Sequence, residues 1–327
     1  MATLKFTAIL TAAGVALMLA LPARAAECAD MTPGVNPLTV TSGGREYGLN
    51  LVLPVSLKPG QRVPLVIGLH PSGGSGASFD QDTGLTAAAT AKGFAVMFPD
   101  GGVELKSAAG ASAHYWNIPG VPLVTGDAVP GNTRDDVRFI ADAIDHVVKH
   151  SCVDGKRIYV TGFSGGARMT SMVGCRLADR LAAVAPVAGL RAGRAAGPGF
   201  SEPDADDCRP LRPLPVLAIH GTADSTNPFP GGGGLRWGYS VERATARWAS
   251  LDSCSVAPAV EKVSAQVTRV RYSACGAGSE VALYEINARE AEGGGHVWPG
   301  GQRDLANRAP PAYLDATQLV LQFFARH

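Results

Sequence analysis

Short apolar runs recur along this chain, and most end at or beside a glycine: "RVPLVIGLH" (62–70), "FAVMFPDG" (94–101), "RIYVTG" (157–162), "AAVAPVAGL" (182–190) and "LPVLAIHG" (214–221). A strand that is apolar on both faces is stable only where both faces are covered, as in a parallel sheet sandwiched between helices. The intervening segments supply those helices. "TRDDVRFIADAIDHVVKH" (133–150) sets Val137, Ile140, Ile144, Val147 and Val148 on one stripe behind Asp135, an N-terminal capping type. "TGLTAAATAKG", "SGGARMTSMVGCRLADRL", "SVERATARWASLDSC" and "PAYLDATQLVLQFFARH" read as helices too, and residues 266–273 and 280–287 as two further strands. Alternation of this kind predicts an α/β fold, a mostly parallel, doubly wound sheet with helices on both faces. "LTVTSGGREYGLNLVLP" adds a hairpin ahead of it, and the stretches 101–133 and 190–212 read as loops. No repeat or linker divides the chain, so residues 26–327 are expected to form one domain.

The first residues stand apart. "MATLKFTAILTAAGVALMLALPARA" has one lysine, an apolar run too short for a bilayer span and a small-x-small ending at Ala23–Ala25, the pattern of a signal peptide over residues 1–25. The product is expected outside the cytoplasm and free of the membrane. Six cysteines, an even number in an exported chain, then read as three disulfides; fifteen pairings are open to them, of which Cys254 with Cys275 is the first choice, and Cys175 with Cys208 and Cys28 with Cys152 come after it. With no CxxC spacing, and His146 and His150 read as a solvated helix face, no metal or other cofactor is expected. A net charge of +1 with well-mixed signs excludes a nucleic-acid footprint.

Chemistry concentrates at "VTGFSGGARM" (160–169). Gly162 and Gly165–Gly166 flank Ser164 where a strand gives way to a helix, a corner that lifts the serine hydroxyl above the sheet. A serine needs a base, and the base needs an orienting acid. His296, in the glycine-rich loop "EGGGHVWPGG", is the candidate base. Asp224, four residues past the strand 214–220, is the candidate acid, better placed than Asp252 or the acids at 204, 206 and 207. His70 and His220 end strands and read as residues that shape their loops. For a developing oxyanion, the N–H of Gly165 and one from "HPSGGSG" after His70 are the donors. Pro71 has none, so Ser72 is the choice, with Gly73 next.

Four motifs together, "LHPSGGSG", "GFSGGARM", "HGTADSTNPFPGG" and "GGGHVWPGG", resemble the polyhydroxybutyrate depolymerase and feruloyl esterase group of secreted α/β-hydrolases. The similarity runs from about residue 45 to the C-terminus and includes "YWN" (115–117) and "DDVRFI" (135–140). It implies the α/β-hydrolase fold, with Ser164 as nucleophile, Asp224 as acid and His296 as base. The partner it implies is an ester, of the hydroxyalkanoate or the feruloyl or acetyl polysaccharide kind, and Trp116 and Trp298 are the aromatic candidates to bind it. Pro71 departs from the glycine usual after the first motif's histidine. No linker or separate substrate-binding domain is seen, so soluble or loosely associated esters are expected over crystalline polymer. A binding protein or a serine peptidase on the same fold is the alternative.

Overall fold

The computed structural model describes residues 31–106, 112–232, 234–307 and 313–327. The leader and Cys28 lie outside them. Ten strands form one sheet: β1 (Gly34–Ser42), β2 (Arg45–Leu53), β3 (Val63–Leu69), β4 (Ala95–Met97), β5 (Val153–Phe163), β6 (Ala183–Val187), β7 (Val216–Gly221), β8 (Ala259–Lys262), β9 (Val267–Tyr272) and β10 (Val281–Ile286). Their spatial order is β1-β2-β4-β3-β5-β6-β7-β10-β9-β8. The pairings from β4 to β10 are parallel, and the antiparallel hairpin β1–β2 and the pair β8–β9 extend the two ends.

Side chains along the central strands alternate between two cores, which is why their apolar runs have no polar face. Leu65 and Ile67 of β3, Ile158 and Val160 of β5, and Val216 and Ala218 of β7 pack with α3 (Asp136–His150), α4 (Gly165–Arg176) and α6 (Val241–Leu251). Val66, Tyr159, Leu217 and Ile219 face the other way, toward α1 (Gly76–Thr83), α2 (Leu85–Ala91) and α8 (Ala316–Phe324). Two short helices, α5 (Gly234–Trp237) and α7 (Gln302–Ala306), lie in the connections. Asp135, Ser240 and Asp315 cap α3, α6 and α8 through their side chains.

The two predicted loops are partly built: residues 101–133 contain an antiparallel ribbon, Val103–Lys106 with Ser112–Tyr115, and residues 190–212 a shorter one, Ala195–Ala196 with Glu202–Pro203. α1 was also hidden, because its Gly/Ser-rich start reads as coil. A reciprocal capping box between Ser75 and Ser78 starts it. Disulfides join Cys254 to Cys275 and Cys175 to Cys208. Cys152 is not free, and its expected partner Cys28 is outside the described residues. Among the described residues no helix is long and apolar enough to cross a membrane.

Candidate active site

Sheet winding creates the site. From β3 the chain moves to β4 on one side, then crosses back to β5 on the other, leaving a crevice at the carboxyl ends of β3 and β5. Leu69 of β3 is in register with Gly162 of β5, so the loop after β3 and the turn after β5 meet. On the far side, Gly221 of β7 is in register with Ile286 of β10. The Ala223 N–H donates to the Gly294 carbonyl at 2.9 Å and ties the next two loops together. Four loops distant in sequence thus converge.

Ser164 occupies φ 56°, ψ −115°, a strained conformation for a residue with a side chain. Its neighbours explain how the strain is held. A Cβ on Gly162 would come within 2.6 Å of the Gly166 backbone, and one on Gly166 would overlap the Leu69 carbonyl oxygen. The turn therefore sits pressed against the end of β3, where only glycine fits. The Ser164 N–H donates to Val187 O at 3.0 Å, and the Arg168 N–H donates back to Ser164 O.

The structure brings the three chemically competent side chains together. Ser164 Oγ lies 2.8 Å from His296 Nε2, and His296 Nδ1 lies 2.7 Å from Asp224 Oδ2. A carboxylate only accepts, so Nδ1 carries the proton and Nε2 is left to accept the serine hydroxyl. Asp224 has no exposed side-chain surface. Its Oδ1 accepts the N–H groups of Thr226 (2.9 Å) and Asn227 (2.7 Å), while His220 Nε2 stands 3.3 Å from Oδ2. Burial alone would push this carboxyl up. Hydrogen bonds from His220 and His296 outweigh it and hold Asp224 ionised, well below the usual carboxylate range. His220 Nε2 is also 2.9 Å from Asn227 O, which fixes the loop carrying the acid.

The loop after β3, where a second oxyanion donor is expected, is equally fixed. Burial pushes the His70 imidazole down to about 4, so it is neutral. Nε2 accepts the Gly101 N–H at 2.9 Å, and Nδ1 donates to Pro71 O at 2.8 Å. Pro71 O also accepts the Gly74 N–H, so proline's carbonyl anchors the turn although it brings no donor. Gly73, the second choice, is committed: its N–H donates to His114 O at 2.8 Å. The Ser72 N–H has no protein acceptor among the described residues. It faces Gly165, on which a Cβ would come within 3.1 Å of Ser72 N. Gly165 opens α4, so its own N–H has no intrahelical acceptor.

A family model described as Esterase PHB depolymerase matches residues 47–234. The chain belongs to this family. Among curated relatives, feruloyl esterase B of Piromyces equi is 33% identical over 245 residues, which is 73% of this chain and 40% of that protein. Poly(3-hydroxyalkanoate) depolymerase C of Paucimonas lemoignei is 28% identical over 127 residues, 38% of this chain and 28% of that one. The chain thus spans well under half the length of each of these two. An acetyl xylan esterase from Aspergillus awamori shares the fold, at TM-score 0.54 and 14% identity, over 89% of this chain and 99% of that chain. The fold is that of the α/β-hydrolases.

Two expectations about this PHB depolymerase family member need correction. Trp116 is 3% exposed; its indole N–H donates to His70 O at 2.8 Å and its ring lies 4.8 Å from the His70 ring. Trp298 is 2% exposed, donates to Thr317 Oγ1 and packs edge-on against Phe79. Both brace loops from behind and neither is free to line a pocket, because their polar and apolar surfaces are already taken up by the core. The tryptophan that does sit among polar groups beside the site is Trp237, in α5. It carries no sequence signal beyond its glycine-rich surroundings. Asn227 was missed as well. Its side chain donates to Ala188 O and accepts from Arg191, joining the acid's loop to the segment after β6.

Proposed function

We propose that this protein is a serine carboxylester hydrolase working through an acyl-enzyme. The reading rests on the unbroken hydrogen-bond chain from Ser164 through His296 to Asp224, beside two N–H groups, of Ser72 and Gly165, that have no acceptor among the described residues. His296 would take the Ser164 proton as Oγ attacks the ester carbonyl. Asp224 would hold the imidazole in the required tautomer and stabilise the imidazolium. The oxyanion would form between the N–H groups of Ser72 and Gly165, each worth roughly 3 kcal/mol of barrier. Collapse breaks the C–O bond, and His296 returns the proton to the departing alcohol. Water, deprotonated by His296, then attacks the acyl carbonyl and releases the acid from Ser164.

For substrates we infer hydroxyalkanoate esters or feruloyl and acetyl polysaccharide esters, a range supported by the names of the relatives. We further read residues 1–25 as a signal peptide and 26–327 as a single catalytic domain acting outside the cytoplasm. The two disulfides fit an oxidising compartment.

A panel of p-nitrophenyl acetate and butyrate, methyl ferulate and hydroxybutyrate oligomers, assayed on the native enzyme and on Ser164→Ala, tests the mechanism. We expect kcat to fall by at least about 10³-fold in the variant with an unchanged circular dichroism spectrum. Comparable turnover by the variant would refute it.

A further inference from the structure

Three arginines gather around Trp237 beside the nucleophile. The guanidinium carbons of Arg168, Arg191 and Arg236 lie 4.9, 5.5 and 5.0 Å from the indole ring. Arg168 and Arg191 are each 4% exposed. Among the described residues none of the three forms a salt bridge to a carboxylate. Instead, Arg191 donates to Asn227 Oδ1 and to the Trp237 carbonyl, and Arg236 donates to Pro122 O and to Ser72 Oγ. Arg194 nearby shows the ordinary arrangement, paired with Asp204 and Asp207.

The cluster is left with unanswered donors. Among the described residues, Nε and Nη1 of Arg168, Nε of Arg191 and Nε of Arg236 are buried without a hydrogen-bond partner. Arg168 and Arg191, with Arg194, line a cavity of about 10 Å³ between Ile118, Val121, Ser171 and Met172, and Arg236 lies outside it. A guanidinium cannot shed its proton, and a buried cation without a counter-charge is costly. Burial, reinforced by repulsion from Arg191 and Arg236, acts against the charge on Arg168. The acid that Arg191 feels is Asp224, which is committed to His296. What would complete this cluster is a negative charge that the described residues do not supply.

Its position says whose charge that is. Arg168 stands one helical turn beyond Ser164, and its backbone N–H donates to Ser164 O. Arg236 touches the side chain of Ser72, whose N–H is the second oxyanion donor of the proposed mechanism. Arg191 grips Asn227, whose N–H binds the triad acid. We infer that Arg168, Arg191 and Arg236 form a carboxylate-binding subsite, and that the preferred substrate is an ester bearing a free carboxylate a few bonds from the scissile carbonyl. This rests on the esterase reading above and narrows it to anionic esters, such as a hydroxyacid oligomer cleaved near its free acid end.

The test compares matched esters that differ only in charge. One pair is mono-p-nitrophenyl adipate and its methyl-capped diester; the other is 3-acetoxybutyrate and its amide. They place the carboxylate on the acyl side and on the alcohol side. The expected result is a kcat/KM advantage of at least about tenfold for the anionic member of one pair or both. In Arg168→Met and Arg236→Gln that ratio should collapse toward one, whereas a purely structural role would lower both members of a pair alike. Binding of monoethyl adipate to Ser164→Ala, measured by calorimetry, should weaken in step when either arginine is replaced. Equal hydrolysis of capped and anionic esters by the native enzyme would overturn the inference while leaving the esterase reading intact. Stabilisation by free acetate or chloride without any ester preference would mean a resident anion, and would overturn it too. Failure to hydrolyse any ester would remove both together.

Discussion

Two corners of one site treat buried charge in opposite ways. Around Asp224 every carboxylate oxygen is met: Oδ1 by the N–H groups of Thr226 and Asn227, Oδ2 by His296 and His220. Around Trp237 three guanidiniums leave donors without an acceptor among the described residues. A buried polar group is either satisfied at folding or is a standing cost that a ligand can relieve. In the proposed mechanism the first corner is therefore pre-organised before any substrate arrives. The second gains its full complement only with a ligand in place, and such contrasts locate recognition apart from reaction.

The largest effect expected from breaking the satisfied corner is on turnover. Asp224→Asn keeps the volume but removes the charge and presents an amide to His296, favouring the wrong tautomer. kcat for a neutral p-nitrophenyl ester is expected to fall by about 10⁴-fold, with the loss concentrated in kcat and not in KM. Next comes the turn itself. In Gly166→Ala the new methyl overlaps the Leu69 carbonyl oxygen, which belongs to backbone and cannot rotate away. A loss of roughly 3 kcal/mol or more in chemical denaturation, together with loss of activity, is expected.

Acid provides a third probe, through buried groups outside both corners. His70 is neutral in the fold, with a pKa near 4 against an ordinary value of 6.5. Between those values the unfolded chain binds the extra proton, so stability must fall as the pH drops from 6.5 toward 4. This one group contributes a slope of roughly 1 kcal/mol per pH unit. Asp252 opposes it: burial raises its carboxyl to about 6, which favours the fold at low pH and is lost as pH rises from the ordinary carboxylate value through 6. Denaturation curves for Asp252→Asn between pH 4 and 6.5 should expose the His70 slope that the native protein masks; a flat profile in that variant would contradict it.

The smallest effect has the opposite sign. Removing an unanswered cation relieves its cost, so Arg168→Met is expected to raise stability by about 1 to 2 kcal/mol, read as an upward shift of the unfolding midpoint. If Arg168→Met proves as destabilising as losing a satisfied charge, the two corners do not differ in the way described.

Much of this was legible in the chain. Strand ends punctuated by glycine located Ser164 and Asp224, and the glycine-rich loop located His296, because a buried parallel strand leaves an unmistakable apolar run and its end is where loops can carry function. The start of α1 and the ribbon of 103–106 with 112–115 were not legible, since their stability comes from a capping box and from cross-strand pairing and not from apolar periodicity. The tryptophans misled for a related reason. An aromatic residue beside a catalytic motif can face the pocket or brace the loop from behind, and only the direction of the indole N–H of Trp116 and Trp298 distinguishes the two.

By itself the sequence determined the sheet, its two covered faces and the order in which a hydroxyl, a carboxylate and an imidazole leave successive strand ends, because periodicity and turn chemistry act over a few residues. Tertiary structure alone decided that Ser72 and not Gly73 keeps an unused donor, that two tryptophans are internal struts, and that Arg168, Arg191 and Arg236 meet around one indole. Those outcomes depend on which groups remain unpaired after all others have found partners. That is a property of the whole packed molecule, and no local stretch of residues contains it.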